Sequence, residues 1–471
     1  MIERNPVAPN VPDLLKVSPM ETTTATDVET SILDPVIINE TTCRFVLTNK
    51  GILHSHSKIT LGLNTPDVSD RFFAPNIGVA QLVQRCRLMV GTKTLQEIDG
   101  YNFLTAYKSM FISNEHQKQR EQYQSGKCIA HEFHYDNRHS THGGINNNTR
   151  AEGYGLSNGR NYNADLGDDL RVPDWALINN EPIFQIALSD LFPMLKQTQL
   201  PLYMMKEQVS VELTFCPALE RAQAANGVGD ESPTIDPTAC KFIADYIYYP
   251  QELMDAYAAQ NSTINIDHFD YRHSKVSVSS TTAASTQIRN LGGANRIVTK
   301  VITGVQPSGA LQGTVLGQYC AMVPQVDYVM GAGAGSNGSI TSNIKYNDRF
   351  LFPIDVSNSA RHFHNTAQAE GIPAMVTREE YSAEGTGIVG GLEYMGHDIQ
   401  EGTLALGVGI TGRFGWQSFR LNRNERVNSR GLEIYYKFDT LATDAPYIQR
   451  SWLELAKRTV LSDGIVQTNL M

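Results

Sequence analysis

Four histidines lie close together in the sequence, and histidine is a common metal ligand and proton carrier near neutral pH. They are His131, His134, His139 and His142, in a segment rich in Asn, Gly and Asp that runs from about residue 128 to 180. Their spacing differs from H-E-x-x-H, which places two imidazoles on one helix face beside a glutamate base. We therefore expect a solvated or subunit-contact loop, and a metal site formed by these histidines is the alternative hypothesis.

The same segment contains an incomplete calcium-loop pattern. Asn161, Asn163 and Asp165 occupy the first ligand positions, and Gly167 follows nearby. In a calcium-binding loop the glycine comes one residue earlier and a glutamate closes the site, whereas Val172 occupies that last position here. This departure favours Asx turns over a specific calcium site.

Motifs of known enzymes also occur, but their surroundings do not fit the chemistry. Matches to G-x-G-x-x-G start at Gly333, Gly385 and Gly407, and the residues after each lack the helix start that a dinucleotide site needs. The G-x-S-x-G match at Ser157 lacks the preceding apolar strand of a hydrolase. We therefore predict no catalytic, cofactor-binding or metal-binding residue, no cofactor, and a protein that is not an enzyme.

The composition is that of a folded, acidic protein. Of 471 residues, 41% are hydrophobic and 19% are charged, which is too apolar for a disordered chain. The 39 Lys and Arg residues against 49 Asp and Glu residues give a net charge of -10, so we expect no direct sequence-specific binding of nucleic acid. No apolar run approaches the roughly eighteen residues of a membrane span, and none is predicted.

The six cysteines are widely separated along the chain. They are Cys43, Cys86, Cys128, Cys216, Cys240 and Cys320. Without a close pair, the pattern argues against a disulfide framework or a zinc knuckle. We interpret them as reduced, mostly buried thiols.

The dominant local pattern is the two-residue alternation of β-strands. It is clearest in QVSVELTF from Gln208 and in GLEIYYKF from Gly431. Further β-rich runs separated by Gly, Asn and Pro turns predict an all-β sandwich or barrel. One helix is predicted between Tyr101 and Tyr123, with Phe103, Leu104 and Tyr107 on its apolar face.

The C-terminal residues show helical rather than strand periodicity. Pro446 suits a first helical position, and Asp444 is available as a cap. The apolar stripe consists of Ile448, Trp452, Leu455 and Thr459. The pattern predicts an amphipathic tail helix over residues 443–471, and we expect Trp452→Ala to leave the sandwiches folded but to weaken assembly.

Three segments resemble a known family. RFVLTNKGILHSHSKITLGL from Arg44 and the run from Pro75 to Tyr123 resemble the first jelly roll of major capsid proteins of polinton-like viruses and virophages. LPLYMMKEQVSVELTF from Leu200 resembles a late strand of that jelly roll. The resemblance implies a double jelly roll, in which two β-sandwiches stand side by side. It also implies trimeric capsomers that tile an icosahedral shell around double-stranded DNA.

The resulting division of the chain has five parts. These are an N-terminal arm (1–35), a first jelly roll (36–250), a linker (251–264), a second jelly roll (265–442) and the tail helix (443–471). The implied partners are two further copies in a homotrimer, neighbouring capsomers, and penton and minor capsid proteins. The implied location is the virion capsid, made and assembled inside the infected host cell. The alternative is a jelly-roll carbohydrate-binding module or enzyme that uses the His/Asn/Gly-rich loop as its site.

Overall fold

The computed structural model describes most of the predicted β-rich regions. It covers residues 27–64, 71–72, 77–109, 124–126, 184–196, 199–221, 223–224, 234–278, 285–307, 326–329, 340–356, 365–366, 368–370, 411–414, 417–421, 425–438, 447–462 and 464–470. Within these residues the fold is all-β with a few short helices, as the alternating patterns predict.

Strands dominate both halves of the chain. The first half contains β1 Asp27–Leu33, β2 Ile37–Ile38, β3 Thr42–Val46, β4 Ile52–Leu53, β5 Lys58–Leu61, β6 Leu63–Asn64, β7 Arg71–Phe72, β8 Val83–Val90, β9 Lys93–Asp99, β10 Phe184–Ala187, β11 Val209–Phe215, β12 Gln223–Ala224, β13 Thr234–Ile235 and β14 Lys241–Tyr248. The second half contains β15 Thr263–Val278, β16 Ser285–Gly292, β17 Val298–Pro307, β18 Val326–Val329, β19 Ile340–Tyr346, β20 Arg349–Phe350, β21 Thr411–Phe414, β22 Gln417–Arg420, β23 Leu432–Phe438, β24 Tyr447–Ser462 and β25 Ile465–Leu470.

The helices are short and mostly belong to the first half. They are α1 Tyr101–Ser109, α2 Leu188–Leu191 and α3 Gln251–Gln260, with 3-10 turns at Gly78–Leu82, Pro193–Lys196, Leu202–Met204 and Ala218–Glu220. Helix α1 begins where the sequence predicts a helix, and Phe103, Leu104 and Tyr107 are buried as expected. The predicted continuation to Tyr123 lies outside the described residues.

The first sandwich has a five-stranded sheet on one side. Its strands are ordered β1-β14-β5-β10, with β4 also on β14. The opposing layer is the β2-β3-β11-β8-β9 part of a ten-stranded sheet. Side chains of the two layers meet in one core, where the rings of Phe45 and Phe242 are 5.6 Å apart. Strand β1 shows that residues 27–33 of the predicted arm pair with β14 along their whole length.

The ten-stranded sheet continues from the first half of the chain into the second. Beyond β9 its order is β15-β24-β17-β22, with β25 on β24. Strands β9 and β15 run parallel and pair at Ile98 and Tyr271, whereas β15 and β24 pair antiparallel over 16 residues. One sheet therefore joins the two sandwiches edge to edge.

The second sandwich encloses a separate core. Its other layer is a four-stranded sheet ordered β16-β23-β19-β20. Ile344, Ile434 and Tyr436 of this sheet pack with Val301 and Leu453 of the ten-stranded sheet. The hairpin between β19 and β20 turns through Asn347 and Asp348, whose φ angles of 50° and 62° fit a type I′ turn.

The predicted C-terminal helix over residues 443–471 is wrong. Residues 447–462 form β24 and residues 465–470 form β25. Trp452 is 0% exposed, so it belongs to the intramolecular core and not to a docking stripe. The helical interpretation failed because β24 is buried on both faces, and a strand with two buried faces does not show a two-residue alternation.

The boundaries of the five predicted parts of the chain remain predictions. The proposed linker, residues 251–264, contains α3 and the first residues of β15. The second jelly roll was placed at residues 265–442, while β24 and β25 beyond that limit pair within the same sheet as β15 and β17.

Candidate functional site: the junction of the two sandwiches

Helix α1 of the first half packs on strands of the second half, and this contact forms the junction between the sandwiches. Arg450, Trp452 and Glu454 alternate along β24, so their side chains lie on one face of the sheet. The guanidinium of Arg450 lies 3.7 Å from the ring centroid of Phe103 in α1. Ser418 of β22 and Tyr107 of α1 are joined by a hydroxyl hydrogen bond of 2.7 Å.

A buried cluster of charged side chains from the second half of the chain lies next to these contacts. Lys300 lies with its Nζ 2.9 Å from Oε2 of Glu370 and 3.5 Å from Oε2 of Glu454. Tyr271 donates from its hydroxyl to Glu454 at 2.9 Å, and Thr299 donates to the other carboxylate oxygen at 2.7 Å. The side chains of Lys300, Glu370 and Glu454 are only 12%, 11% and 9% exposed, so solvent screens them weakly.

Two residues of α1 complete this cluster. Tyr107 donates from its hydroxyl to Oε1 of Glu370 at 2.6 Å. Lys108 donates from Nζ to the hydroxyl of Tyr271 at 3.1 Å and lies 4.2 Å from the centroid of that ring. The first half of the chain therefore supplies a hydrogen-bond donor to Glu370 and a cation to Tyr271 of the second half.

The ionisation of the cluster follows from burial and from its internal charges. Burial acts to lower the pKa of Lys300, but Glu370 and Glu454 outweigh it, so this pKa lies above its ordinary value. Burial acts to raise the pKa of Glu454, but Lys300 and the hydrogen bond from Thr299 hold it below its ordinary value. Burial lowers the pKa of Lys108 to about 8, and the charge of Lys300 acts in the same direction.

A histidine and a tryptophan occupy the neighbouring position of the junction. His273 of β15 has its Nδ1 3.0 Å from Oδ2 of Asp99, at the end of β9. Its ring stacks on Trp452 with centroids 4.8 Å apart, and Trp452 donates from Nε1 to the carbonyl oxygen of Asp99 at 2.9 Å. Gly100 follows with φ 65°, and a Cβ there would lie 3.0 Å from Trp452, so this turn requires glycine.

His273 is held in its neutral form by its surroundings. Its side chain is 6% exposed, and the Nε2 atom is buried without a hydrogen-bond partner. Burial lowers the pKa of His273, and the hydrogen bond with Asp99 opposes this only in part. The neutral imidazole donates from Nδ1 and leaves Nε2 without a proton, which matches this environment.

A third set of polar contacts joins β9 to β15 and β24. Gln96 donates to the carbonyl oxygen of Phe269 at 2.6 Å, and Nε2 of His268 lies 3.2 Å from the carbonyl oxygen of Leu95. Lys457 donates to Asp270 at 3.1 Å and to the carbonyl oxygen of Thr94 at 3.2 Å. These contacts extend the buried junction along β9, β15 and β24 of the ten-stranded sheet.

Most of the sequence motifs that could have indicated a catalytic or metal site lie outside the residues that the structure describes. His131, His134, His139 and His142, the calcium-like Asn161, Asn163 and Asp165, and Ser157 all fall outside the described residues, as do the glycine matches from Gly333 and Gly385. The match from Gly407 ends inside β21, so its last residues form a strand and not a helix. Within the described part of the chain, no group of three or more His, Cys, Asp or Glu side chains could hold a metal ion.

The junction residues were not predicted from the sequence. A signal was present, because Lys300 and Glu454 interrupt the apolar runs RIVTKVITGV and SWLELAK. A charged residue inside a buried strand requires a partner of opposite charge. The identity of that partner was not available from sequence, since α1, β15, β17 and Glu370 are far apart along the chain.

Comparisons with known proteins find similarity of structure but not of sequence. No family model and no curated protein matches the sequence. The mavirus major capsid protein is similar at a TM-score of 0.50 and 11% identity, over 100% of this chain and 95% of that one. A chain of the Sputnik virophage structure is similar at 0.51 and 11%, over 95% and 89% of the two chains. A chain of the PBCV-1 virus capsid is similar at 0.51 and 11%, over 95% and 97%.

Among the described helices, none is long and apolar enough to cross a membrane. The similarity to the capsid structures extends over both sandwiches and over nearly the full length of each chain. The predicted fold is confirmed: the chain has the double jelly-roll fold of viral major capsid proteins.

Proposed function

We propose that this protein is the structural major capsid subunit of a double-stranded DNA virus, without catalytic activity. The main support for this proposal is that both sandwiches together, and not one alone, match capsid chains over nearly their full length. Proteins of other functions share the single jelly roll, so a match restricted to one sandwich would be less informative.

The construction of the junction supports this role. A shell subunit must transmit force between its two sandwiches without bending. The ten-stranded sheet runs through both of them, and Lys300, Glu370 and Glu454 are buried where they meet. A buried ion pair with satisfied hydrogen bonds specifies one arrangement of the parts, because other arrangements leave a charge unpaired.

The proposed assembly is a homotrimer that forms a pseudo-hexameric capsomer. Three copies present six sandwiches, and heterologous contacts around a threefold axis close such a ring. Capsomers then contact one another, and penton and minor capsid proteins, in an icosahedral shell that is assembled inside the infected host cell.

The net charge of -10 implies that the capsid subunit and the component that neutralises the packaged DNA are different. An acidic subunit does not neutralise packaged DNA, so separate basic proteins or counterions do so. Titration of duplex DNA with the purified trimer should therefore give weak binding. Tight binding with a steep dependence on salt would contradict this part of the proposal.

The first experiment measures the mass of the purified protein in solution by light scattering, over a concentration series, followed by negative-stain imaging. A stable species near three times 52.1 kDa with a hexagonal outline supports the capsomer. A monodisperse monomer at micromolar concentration contradicts it. That outcome favours the carbohydrate-binding alternative, which a glycan-binding screen then tests.

A further inference from the structure

Two of the buried cysteines face each other inside the first sandwich, although 197 positions separate them in sequence. Cys43 lies in β3, and Cys240 immediately precedes β14. Both residues are 0% exposed, and they belong to the same hydrophobic core. The absence of a close sequence pair therefore concealed a pair that is close in space.

The neighbouring residues establish this pairing independently of the sulfur atoms. Phe45 and Phe242 lie two residues after Cys43 and Cys240, and side chains two residues apart on a strand share a face. The two phenylalanine rings contact each other across the sandwich, with centroids 5.6 Å apart. The hydroxyl groups of Thr48 and Tyr246 also contact each other, at 3.2 Å, so the two strands run in the same direction. Cys43 and Cys240 are therefore the preceding pair of positions on the same two faces.

The backbone next to Cys240 is fixed by close packing. Thr60 donates from its hydroxyl to the carbonyl oxygen of Ala239 at 2.6 Å and accepts from the amide of Lys241 at 3.0 Å. A Cβ on Gly62 would lie 2.7 Å from Cβ of Ala239, so the chain has no room to move towards β5. The backbone that carries Cys240 is therefore fixed against β5.

We propose that Cys43 and Cys240 are a modification site at which a disulfide forms across the first sandwich. The oxidant is a small-molecule or protein disulfide, such as oxidised glutathione, which reaches the two thiols during folding, before the core covers them. The thiolate of one cysteine attacks the oxidant and expels one thiol, which leaves a mixed disulfide on the protein. The second thiolate attacks that cysteine sulfur and expels the second thiol. The pair loses two electrons and two protons, and the oxidant disulfide is reduced to two thiols.

The bond joins the ten-stranded sheet to the five-stranded sheet through the core. An inter-sheet disulfide of this kind is known in other β-sandwiches. It restricts the unfolded chain over a long closed loop, and long loops give the larger entropic stabilisation. This inference does not depend on the proposed capsid role.

The test compares full-length protein made in a reducing bacterial cytoplasm with protein made in an oxidising one. Free thiols are alkylated in denaturant, and the digested protein is mapped by mass spectrometry. We expect a linked peptide containing Cys43 and Cys240 in the oxidised sample only. Cys86 and Cys216, which are buried elsewhere in the first half, are the internal controls and should be alkylated in both samples.

Variants extend the test to stability. The melting temperature of the oxidised wild type should fall when a reductant is added. This fall should disappear in Cys43→Ala and Cys240→Ala and remain in the matched control Cys86→Ala. The proposal is overturned if both cysteines are alkylated when protein from the oxidising host is treated in denaturant, or if either is linked to another cysteine. The peptide map of the wild type decides this even where a variant does not fold.

Discussion

Lys300 lies between two buried carboxylates, and its replacement tests whether the junction depends on charge. Lys300→Met keeps much of the aliphatic side chain but leaves Glu370 and Glu454 without their cation. Removal of one partner from a buried ion pair destabilises by about 3–5 kcal/mol. We expect a loss of this size in the free energy of unfolding, measured by urea denaturation at pH 7.

The matched control is Arg430→Met. Arg430 pairs with Asp348, but their side chains are 74% and 55% exposed. An exposed pair contributes less than about 1 kcal/mol, because water screens it. Equal effects of the two substitutions would show that burial at the junction does not strengthen the Lys300 interactions.

Trp452 provides a second residue-scale test, and the expected result differs from the sequence-based one. Its side chain is 0% exposed, stacks on His273 and donates to Asp99. Removal of a buried aromatic side chain leaves a cavity and destabilises by about 3–5 kcal/mol. We therefore expect Trp452→Ala to lower the unfolding midpoint strongly, whereas Ile354→Ala, at a residue 70% exposed, should change it little. A folded, fully stable Trp452→Ala protein that fails only to assemble would restore the docking interpretation.

His273 gives the junction a dependence on pH. Its pKa is lowered by burial, opposed in part by Asp99, and Arg450 and Lys275 are the cations that face it. Because the folded pKa lies below the unfolded value near 6.5, the folded state disfavours the proton. The stability that the neutral form of His273 contributes is fully present above pH 6.5 and is lost as the pH falls through the pKa of His273 in the folded state.

The measurement is the free energy of unfolding from pH 8 to pH 5 for wild type and His273→Gln. We expect the wild type to lose stability below about pH 6.5 and the variant to show a smaller slope. Part of the slope should remain, since burial also lowers the pKa of His268 and of His54. A His273→Gln slope equal to that of the wild type would assign the acid sensitivity to other groups.

At the scale of elements, the way in which each element is buried decides whether its sequence pattern predicts it correctly. Strands with one buried face, such as β11 and β23, show alternation and were predicted within one residue of their observed ends. The start of α1 was predicted because only one of its faces is apolar. Strand β24 is buried on both faces, so Ile448, Trp452 and Leu455 satisfied a helical stripe by coincidence.

Strand β25 offers a test of the corrected C-terminal structure. Val466 is 0% exposed and belongs to the first core, whereas the preceding Ile465 is 43% exposed. Neighbouring residues of a strand point to opposite faces, so the two positions form a matched pair. We expect Val466→Ala to destabilise by about 2 kcal/mol and Ile465→Ala by much less, measured by urea unfolding. Similar losses at both positions would be inconsistent with an edge strand that buries one face.

At the scale of the whole molecule, strands β17 and β24 lie between the two cores and contribute side chains to both. Trp452 and Ile302 point into the first core, while Leu453 and Val301 point into the second. The first core also takes side chains from other parts of the second half. These are Ile264, Ile266, Tyr271, Leu461 and Val466. The sequence indicated two similar halves, but it did not indicate that the first half needs the second to complete its core.

This sharing predicts that the two halves do not fold separately. Residues 1–262 alone would expose the core surface that β15, β17, β24 and β25 cover. Residues 263–471 alone would leave Glu370 without the hydrogen bond from Tyr107 and Tyr271 without the one from Lys108. We expect each half, expressed alone, to aggregate or to unfold without a cooperative transition, and co-expression of both to give a soluble complex. Near-UV circular dichroism and thermal unfolding measure this, with the full chain as the reference. If the first half alone melts as sharply as the full chain, the junction joins two independently folding domains. A rigid shell subunit would then need contacts between copies to hold its two sandwiches in place.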